Sequence, residues 1–214
     1  MNILKRKWLQ LRRKIRWALG KGWDATDFAG RYESPAKDSW SYTTDPAHLE
    51  RMQRILKALS PLSGKRVLEL GCAEGFITKE IAKQAASVVA CDLSPLAAER
   101  TRKVCVGLPV SVIAGDIRKC LPESTFNLIL ASDVFYYLSA TELSQVAGTL
   151  ANNAAEDSRM IMANEWNNAY AQLTSPDQII QTIMDTTRWR MVEKDVAQNT
   201  SGTHTIATFR LLNS

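Results

Sequence analysis

From Arg66 onward, short apolar runs alternate with amphipathic ones along the chain. The stretches 66–70 (RVLEL), 87–91 (SVVAC), 110–114 (VSVIA), 126–131 (FNLILA) and 159–163 (RMIMA) have the length and composition of buried strands. The runs between them repeat every three or four residues and begin at helix caps. Ser94-Pro95 opens one, while Ser139 with Glu142 and Ser175-Pro176 with Gln178 form capping boxes for two more. The stripes these boxes introduce are Leu143, Val146, Ala147 and Leu150, then Ile179, Ile180, Ile183 and Met184. A helix after Gly75 carries Phe76, Ile77, Ile81 and Ala85. Upstream, Asp45-Pro46 opens a helix with Leu49, Met52, Ile55, Leu56 and Leu59 on its apolar face, and Ser60-Pro61 ends it.

Strand-helix alternation calls for a parallel sheet covered on both faces. The last two β-rich segments, 189–195 and 203–212, have no helix between them, and the join from Asn199 to Thr203 reads as a hairpin. The expected fold is therefore α/β: a Rossmann-like, doubly wound, mostly parallel seven-stranded sheet with a C-terminal antiparallel hairpin.

Residues 1–23 change this picture. Leu4, Trp8, Leu11, Ile15 and Ala18 recur at helical steps, and eight of the 27 lysines and arginines lie here with none of the 22 acids. The remainder carries three more acids than bases, so the net charge of +5 reports on an N-terminal arm. Three segments are expected: a basic amphipathic arm over 1–23, an aromatic segment over 24–45 (Phe28, Tyr32, Trp40, Tyr42) that acts as a lid, and the main domain over 46–214. An apolar stripe beside seven bases in residues 1–19, with Trp8 and Trp17 as interfacial residues, suits peripheral contact with a membrane or a partner protein. No stretch approaches the roughly 20 apolar residues of a membrane span, and no cleavable signal pattern appears. Cys72, Cys91, Cys105 and Cys120 lack CxxC spacing and read as free thiols. A cytoplasmic protein, with contact at the inner face of the membrane through the arm, is the expected setting.

The chemistry concentrates at strand ends. Val67-Leu68-Glu69-Leu70-Gly71-Cys72-Ala73-Glu74-Gly75 is a strand running into a glycine turn and a helix. In open α/β sheets ligands sit at the carboxyl ends of the strands. The Gly71-x-x-x-Gly75 spacing with Glu69 differs from the G-x-G-x-x-G of pyrophosphate sites, and a carboxylate there suits a cationic ligand group. Asp92, after the next strand, is placed to accept both hydroxyls of a ribose. Asp116, after the third, can take an adenine amino group while Ile117 covers the ring.

These residues, together with Ser132-Asp133-Val134-Phe135-Tyr136-Tyr137-Leu138, resemble the class I S-adenosylmethionine (SAM)-dependent methyltransferases over about residues 45–165. With Asp38-Ser39-Trp40-Ser41-Tyr42 upstream, the likeness is narrower, to the nodulation-factor N-methyltransferases (NodS-like). The long arm and Asp133, where glutamate is expected in that group, set this chain apart. The resemblance implies a SAM site of Trp40, Tyr42, Glu69, Gly71, Cys72, Ala73, Gly75, Asp92, Leu93, Asp116, Ile117 and Ser132, the upstream aromatics closing over it.

An amine acceptor must lose a proton before it attacks, and a hydroxyl needs a stronger base. The candidates beyond the fourth and fifth strands are Asp133, Tyr136 and Glu165, with His204 in the closing strand. Asp133 is expected to orient the acceptor or take its proton, or else to cap the next helix. One of Tyr136 and Tyr137 is expected in the core and the other in the pocket. His48 is expected to be exposed. No metal is expected, although Asp133, Asn164 and Glu165 are oxygen donors of the kind magnesium takes. The acceptor is read as an amine or hydroxyl of a small molecule or saccharide. The rivals are a nucleic-acid methyltransferase gripping phosphate through the arm and a non-catalytic SAM-binding subunit. The sequence after the fourth strand lacks the Asp/Asn-Pro-Pro-Tyr/Phe of enzymes acting on a flipped adenine, which argues against the first.

Overall fold

A computed structural model describes residues 3–28, 32, 38–42, 44–167, 173–199 and 202–212. Its seven strands form one sheet in the order β3-β2-β1-β4-β5-β7-β6. They are β1 (Arg66–Leu70), β2 (Ser87–Asp92), β3 (Val110–Ala114), β4 (Phe126–Ser132), β5 (Ala154–Trp166), β6 (Trp189–Asn199) and β7 (Gly202–Leu211). The first five run parallel, and β7 is antiparallel to both β5 and β6. This is the doubly wound sheet and closing hairpin that the alternating pattern predicts; residues 200 and 201 of the hairpin join lie outside the described residues.

The period-two alternation of the strands splits the core between two faces. Leu68, Leu70, Ile129, Ala131, Met160 and Met162 face α6 (Ala140–Asn152) and α7 (Pro176–Thr186). Val67, Leu128, Leu130, Ile161 and Ala163 face α3 (Pro46–Leu59) and α4 (Phe76–Ala82). The remaining crossover helix, α5 (Pro95–Val104), lies over β2 and β3. The caps form as read: Asp45 accepts from the Ala47 N–H at 2.9 Å, and both capping boxes close. Such caps each contribute about 1 kcal/mol.

Two features depart from the sequence pattern. The strand expected over 159–163 is thirteen residues long: it starts at Ala154, which pairs with Phe126 of β4, and it runs on through Asn164, Glu165 and Trp166, which pair with Thr205, His204 and Thr203 of β7. Polar residues there obscure a strand whose partner, not its own pattern, fixes it. Trp17 packs against the core beside α6 and α7, so it is not an interfacial residue of α1 (Ile3–Ala18). All four cysteines are free, and Cys72, Cys91 and Cys105 are buried. Burial pushes the Cys105 thiol up to about 11, which keeps it protonated and unreactive.

Candidate active site

The ends of the parallel strands border one cavity. In sheet order, β3, β2, β1, β4 and β5 deliver Asp116, Asp92, Gly71, Ser132 with Asp133, and Glu165 to its wall. Four strand spacings separate the outer two, roughly 19 Å. The space is about 1010 Å³, counting the part open to solvent at the mouth, which suits a nucleoside-sized ligand with room for a second molecule.

The turn after β1 explains its glycines. Gly71 has φ +76°, and its N–H and that of Cys72 both donate to the Cys91 carbonyl, at 2.7 and 3.0 Å. A Cβ at Gly71 would lie 2.3 Å from the Val134 side chain. At Gly75 (φ +81°) it would press on Thr101 of α5 at 3.0 Å, so this glycine relieves a helix–helix contact. Ala73 also takes a positive φ, +49°, and turns its N–H to Asp92 Oδ2 at 2.9 Å, while Ser94 N–H reaches Asp92 Oδ1 at 2.8 Å. Burial raises the Asp92 pKa against these two donors.

Asp116 is gripped side-on by Arg118, from Nε at 2.8 Å and Nη2 at 2.6 Å. Burial would raise its pKa; the guanidinium outweighs that and holds it below the usual carboxylate value. Arg118 also reaches Glu142 Oε1 at 2.8 Å, and the other oxygen of Glu142 accepts from Gly22 N–H at 2.7 Å and Ser139 N–H at 2.9 Å. The glutamate recognised in the sequence as a helix cap thus also anchors the chain just before Trp23.

Over the glycine loop, buried Glu74 accepts from the Ser39 N–H at 2.7 Å and pairs with Arg100, which donates to the Tyr32 carbonyl at 2.8 Å. Trp40 Nε1 donates to the Tyr32 hydroxyl at 2.9 Å. Residues 29–31, 33–37 and 43 of the expected lid lie outside the described residues. Trp23, Phe28 and Tyr137 form an aromatic wall with centroids 4.8–5.7 Å apart, and Tyr136 meets Tyr137 at 4.4 Å. Both tyrosines line the cavity, although only one was expected to.

The β4–β5 end is built on an arginine. Buried Arg51 of α3 pairs with Asp133 Oδ2 at 2.5 Å and donates to Ser132 Oγ at 3.3 Å. Asp133, at φ +54°, accepts from the Glu165 N–H at 2.8 Å through its other oxygen. It caps no helix; Ser139 caps α6. Burial would lower the Arg51 pKa, and Asp133 outweighs it and keeps the guanidinium charged. His48 is a correction: expected to be exposed, it lines the cavity, with Nε2 3.8 Å from Glu165 Oε2 and its ring 5.6 Å from that of Tyr42. Its Nδ1 is buried with no hydrogen-bond partner among the described residues.

Of the residues the sequence singled out, Trp40, Tyr42, Gly71, Ala73, Asp92, Leu93, Asp116, Ile117, Ser132, Asp133, Tyr136 and Glu165 meet around this cavity. Glu69, Cys72, Gly75 and His204 do not line it. Glu69 is buried beneath the loop, where burial pushes its carboxyl up to about 7, and its Oε2 has no hydrogen-bond partner among the described residues. His204 is buried opposite Glu165 on β7, with Nε2 3.0 Å from Asn199 Oδ1. Among the described residues no group of three or more His, Cys, Asp or Glu side chains is placed to hold a metal. Arg51, His48, Arg118 and Glu74 were missed. Arg51 left one trace: it stands four and eight residues before Ile55 and Leu59, on their buried row.

The lining suits SAM. Asp92 accepts one N–H on each oxygen and so could also accept ribose hydroxyls, Leu93 and Ile117 are apolar groups that could cover an adenine, and carboxylates outnumber bases along the wall. Residues 67–156 match the family described as methyltransferase domain. Nodulation protein S of Rhizobium tropici is 28% identical over 136 residues, 62% of this chain and 57% of that protein. A cypemycin N-terminal methyltransferase of Streptomyces is 31% identical over 87 residues, 41% of this chain and 36% of that one. The chain thus spans about half the length, or less, of these relatives. Among solved structures, the N-methyltransferase NodS from Bradyrhizobium japonicum with S-adenosyl-L-homocysteine superposes with a TM-score of 0.76 at 20% identity, covering 86% of this chain and 95% of that one. Sheet order, strand-end carboxylates and the match over residues 67–156 together make this chain similar to the class I SAM-dependent methyltransferases, with a resemblance to the NodS group.

Proposed function

We propose that this chain transfers a methyl group from SAM to an amine of a small molecule or saccharide. The observation that carries the reading is the single cavity joining Asp116 and Asp92 at one end to His48 and Glu165 at the other. Asp92 would hold the ribose, Asp116 and Ile117 the adenine, and the Gly71–Ala73 turn the amino-acid end. When bound, SAM supplies a methyl on a sulfonium for in-line attack. The chain's own groups align the acceptor and take its proton.

His48 Nε2 is the proton acceptor in this reading, with Glu165 3.8 Å away to steady the imidazolium. Asp133, committed to Arg51 and to the Glu165 N–H, acts as a positioning group. Trp23, Phe28 and Tyr137 give an apolar wall on which a sugar ring can stack, and Tyr32, Trp40 and Tyr42 cover the cavity against water. The related structure named as an N-methyltransferase supports nitrogen, and relatives named as O-methyltransferases make oxygen the rival acceptor.

Calorimetry with SAM, S-adenosylhomocysteine and NAD tests the cofactor: binding of the first two and silence from NAD is expected, and an NAD isotherm with silence from SAM overturns the reading. Single-turnover assays against amino sugars and their N-acetylated forms test the acceptor. Methylation of the free amine alone is expected, with His48→Gln slowing transfer at least tenfold while S-adenosylhomocysteine still binds. Equal rates on both sugars would remove the amine assignment.

A further inference from the structure

We propose that α1 docks the protein onto an anionic phospholipid surface, an activity separate from the chemistry of the cavity. The described bases of the helix divide by type and by face. Arg12, Arg13 and Arg16 turn inward: Arg12 pairs with Asp24 at 2.5 Å and with buried Asp27 at 2.8 Å, and Arg16 donates to the Gly22 carbonyl at 2.8 Å. Arg13 lies 3.8 Å over the Trp23 ring and 3.3 Å from Asp27. Leu9 is buried and Trp17 meets the core, so one face of the helix is fixed to the domain and cannot roll.

That fixed contact leaves the opposite face in solvent. Leu4 is 73% exposed, Trp8 55%, Leu11 59%, Ile15 52% and Leu19 66%. In a helix these residues lie within one sector of about a quarter turn. Lys7 and Lys14, both exposed, stand a heptad apart along its edge. An aliphatic stripe with a tryptophan, edged by lysines that can reach past it to phosphate, is the pattern of a helix lying in a membrane interface. No acid lies in residues 1–23, so the face complements an anionic surface. A second copy of the chain would have to bring an equally basic helix against it, which like charge opposes. Among the described residues no helix is long and apolar enough to cross a membrane, so the contact is peripheral.

The test is flotation of the full chain with vesicles of phosphatidylcholine containing about a third phosphatidylglycerol, beside phosphatidylcholine alone. The expected result is binding to the mixed vesicles, weakening as salt rises, and little binding to the neutral ones. Leu11→Glu with Ile15→Glu should weaken it at least tenfold, and Lys7→Gln with Lys14→Gln by a smaller factor. These positions are exposed, so unfolding midpoints and S-adenosylhomocysteine affinity should match the parent protein. Those two controls also separate failure here from failure of the methyltransferase reading. The proposal is overturned if the parent protein stays off the mixed vesicles, if the double glutamate variant still floats, or if light scattering finds a dimer that this variant dissolves while vesicles are ignored.

Discussion

At the β2–β3 end of the cavity, each carboxylate is held by a group close to it in sequence. Asp92 takes the N–H of Ser94 two residues on, and Asp116 takes Arg118 at the same distance, the Ala73 N–H being the one longer link. At the β4–β5 end the corresponding groups come from far away. Asp133 is held by Arg51 from α3 and by the Glu165 N–H 32 residues on, and His48 arrives from the first turn of α3. One end is assembled by turns, the other by tertiary packing. Turns tolerate loss of a side chain as a local defect, whereas a packed ion pair fails as a unit.

The largest expected effect therefore falls at the packed end. Arg51 is buried, and removing it strips Asp133 of its counter-ion and unpins α3 from Ser132. Arg51→Met should cost about 3 kcal/mol of folding stability, the scale for breaking a buried pair from one side. Denaturant unfolding measures this, and S-adenosylhomocysteine binding at 25 °C or below should change only severalfold in the fraction that remains folded. A stability loss within about 0.5 kcal/mol, the size of an ordinary surface substitution, would mean that the packed end is no more cooperative than the other.

The next effect is smaller and falls at the local end. Asp92→Ala should weaken SAM binding by about 1.5–3 kcal/mol, the range for losing hydrogen bonds to a charged group. Asp133→Asn should do the reverse, lowering the single-turnover rate of methyl transfer more than the affinity for SAM. Equal losses from Asp133→Asn in both readouts would move the boundary between the two ends past β4.

The same division explains what could be read from the sequence. The sheet was legible because each parallel strand is apolar and α3, α5, α6 and α7 each carry their own cap within four residues. Asp92 and Asp116 were legible because a strand end and its turn are contiguous in the chain. Arg51 and His48 were not, because their roles arise when α3 crosses to β4 and β5, and no local pattern encodes that crossing. Glu165 was found, but its strand was drawn too short, since pairing with His204 on β7 holds it. Glu74 stood inside the glycine loop and was passed over, because its partners Ser39 and Arg100 come from two other segments.

The smallest effect sharpens the comparison by way of pH, through one buried group near each end. Glu69, beneath the β1 turn, has its carboxyl raised to about 7 by burial. The unfolded chain gives up that proton near 4.5, so Glu69 adds stability below 4.5 that is lost as pH rises toward 7. His204, beside β5, has its imidazole lowered to about 4, first by burial and then by the charge of Arg51. The unfolded chain takes up that proton near 6.5, so His204 adds stability above 6.5 that is lost as pH falls toward 4. Between 4.5 and 6.5 the two slopes have opposite sign and offset each other. In the cofactor-free protein the contributions of these two groups should therefore nearly cancel across that window. Glu69→Gln should leave the histidine alone, so stability rises with pH by about 1–2 kcal/mol over the window. His204→Gln should leave the glutamate alone, so stability falls by a similar amount as pH rises. Urea midpoints at half-unit steps of pH give both curves. If the two variants tilt the same way, the groups do not titrate independently, and Glu69 and His204 belong to one electrostatic unit that spans both ends of the cavity.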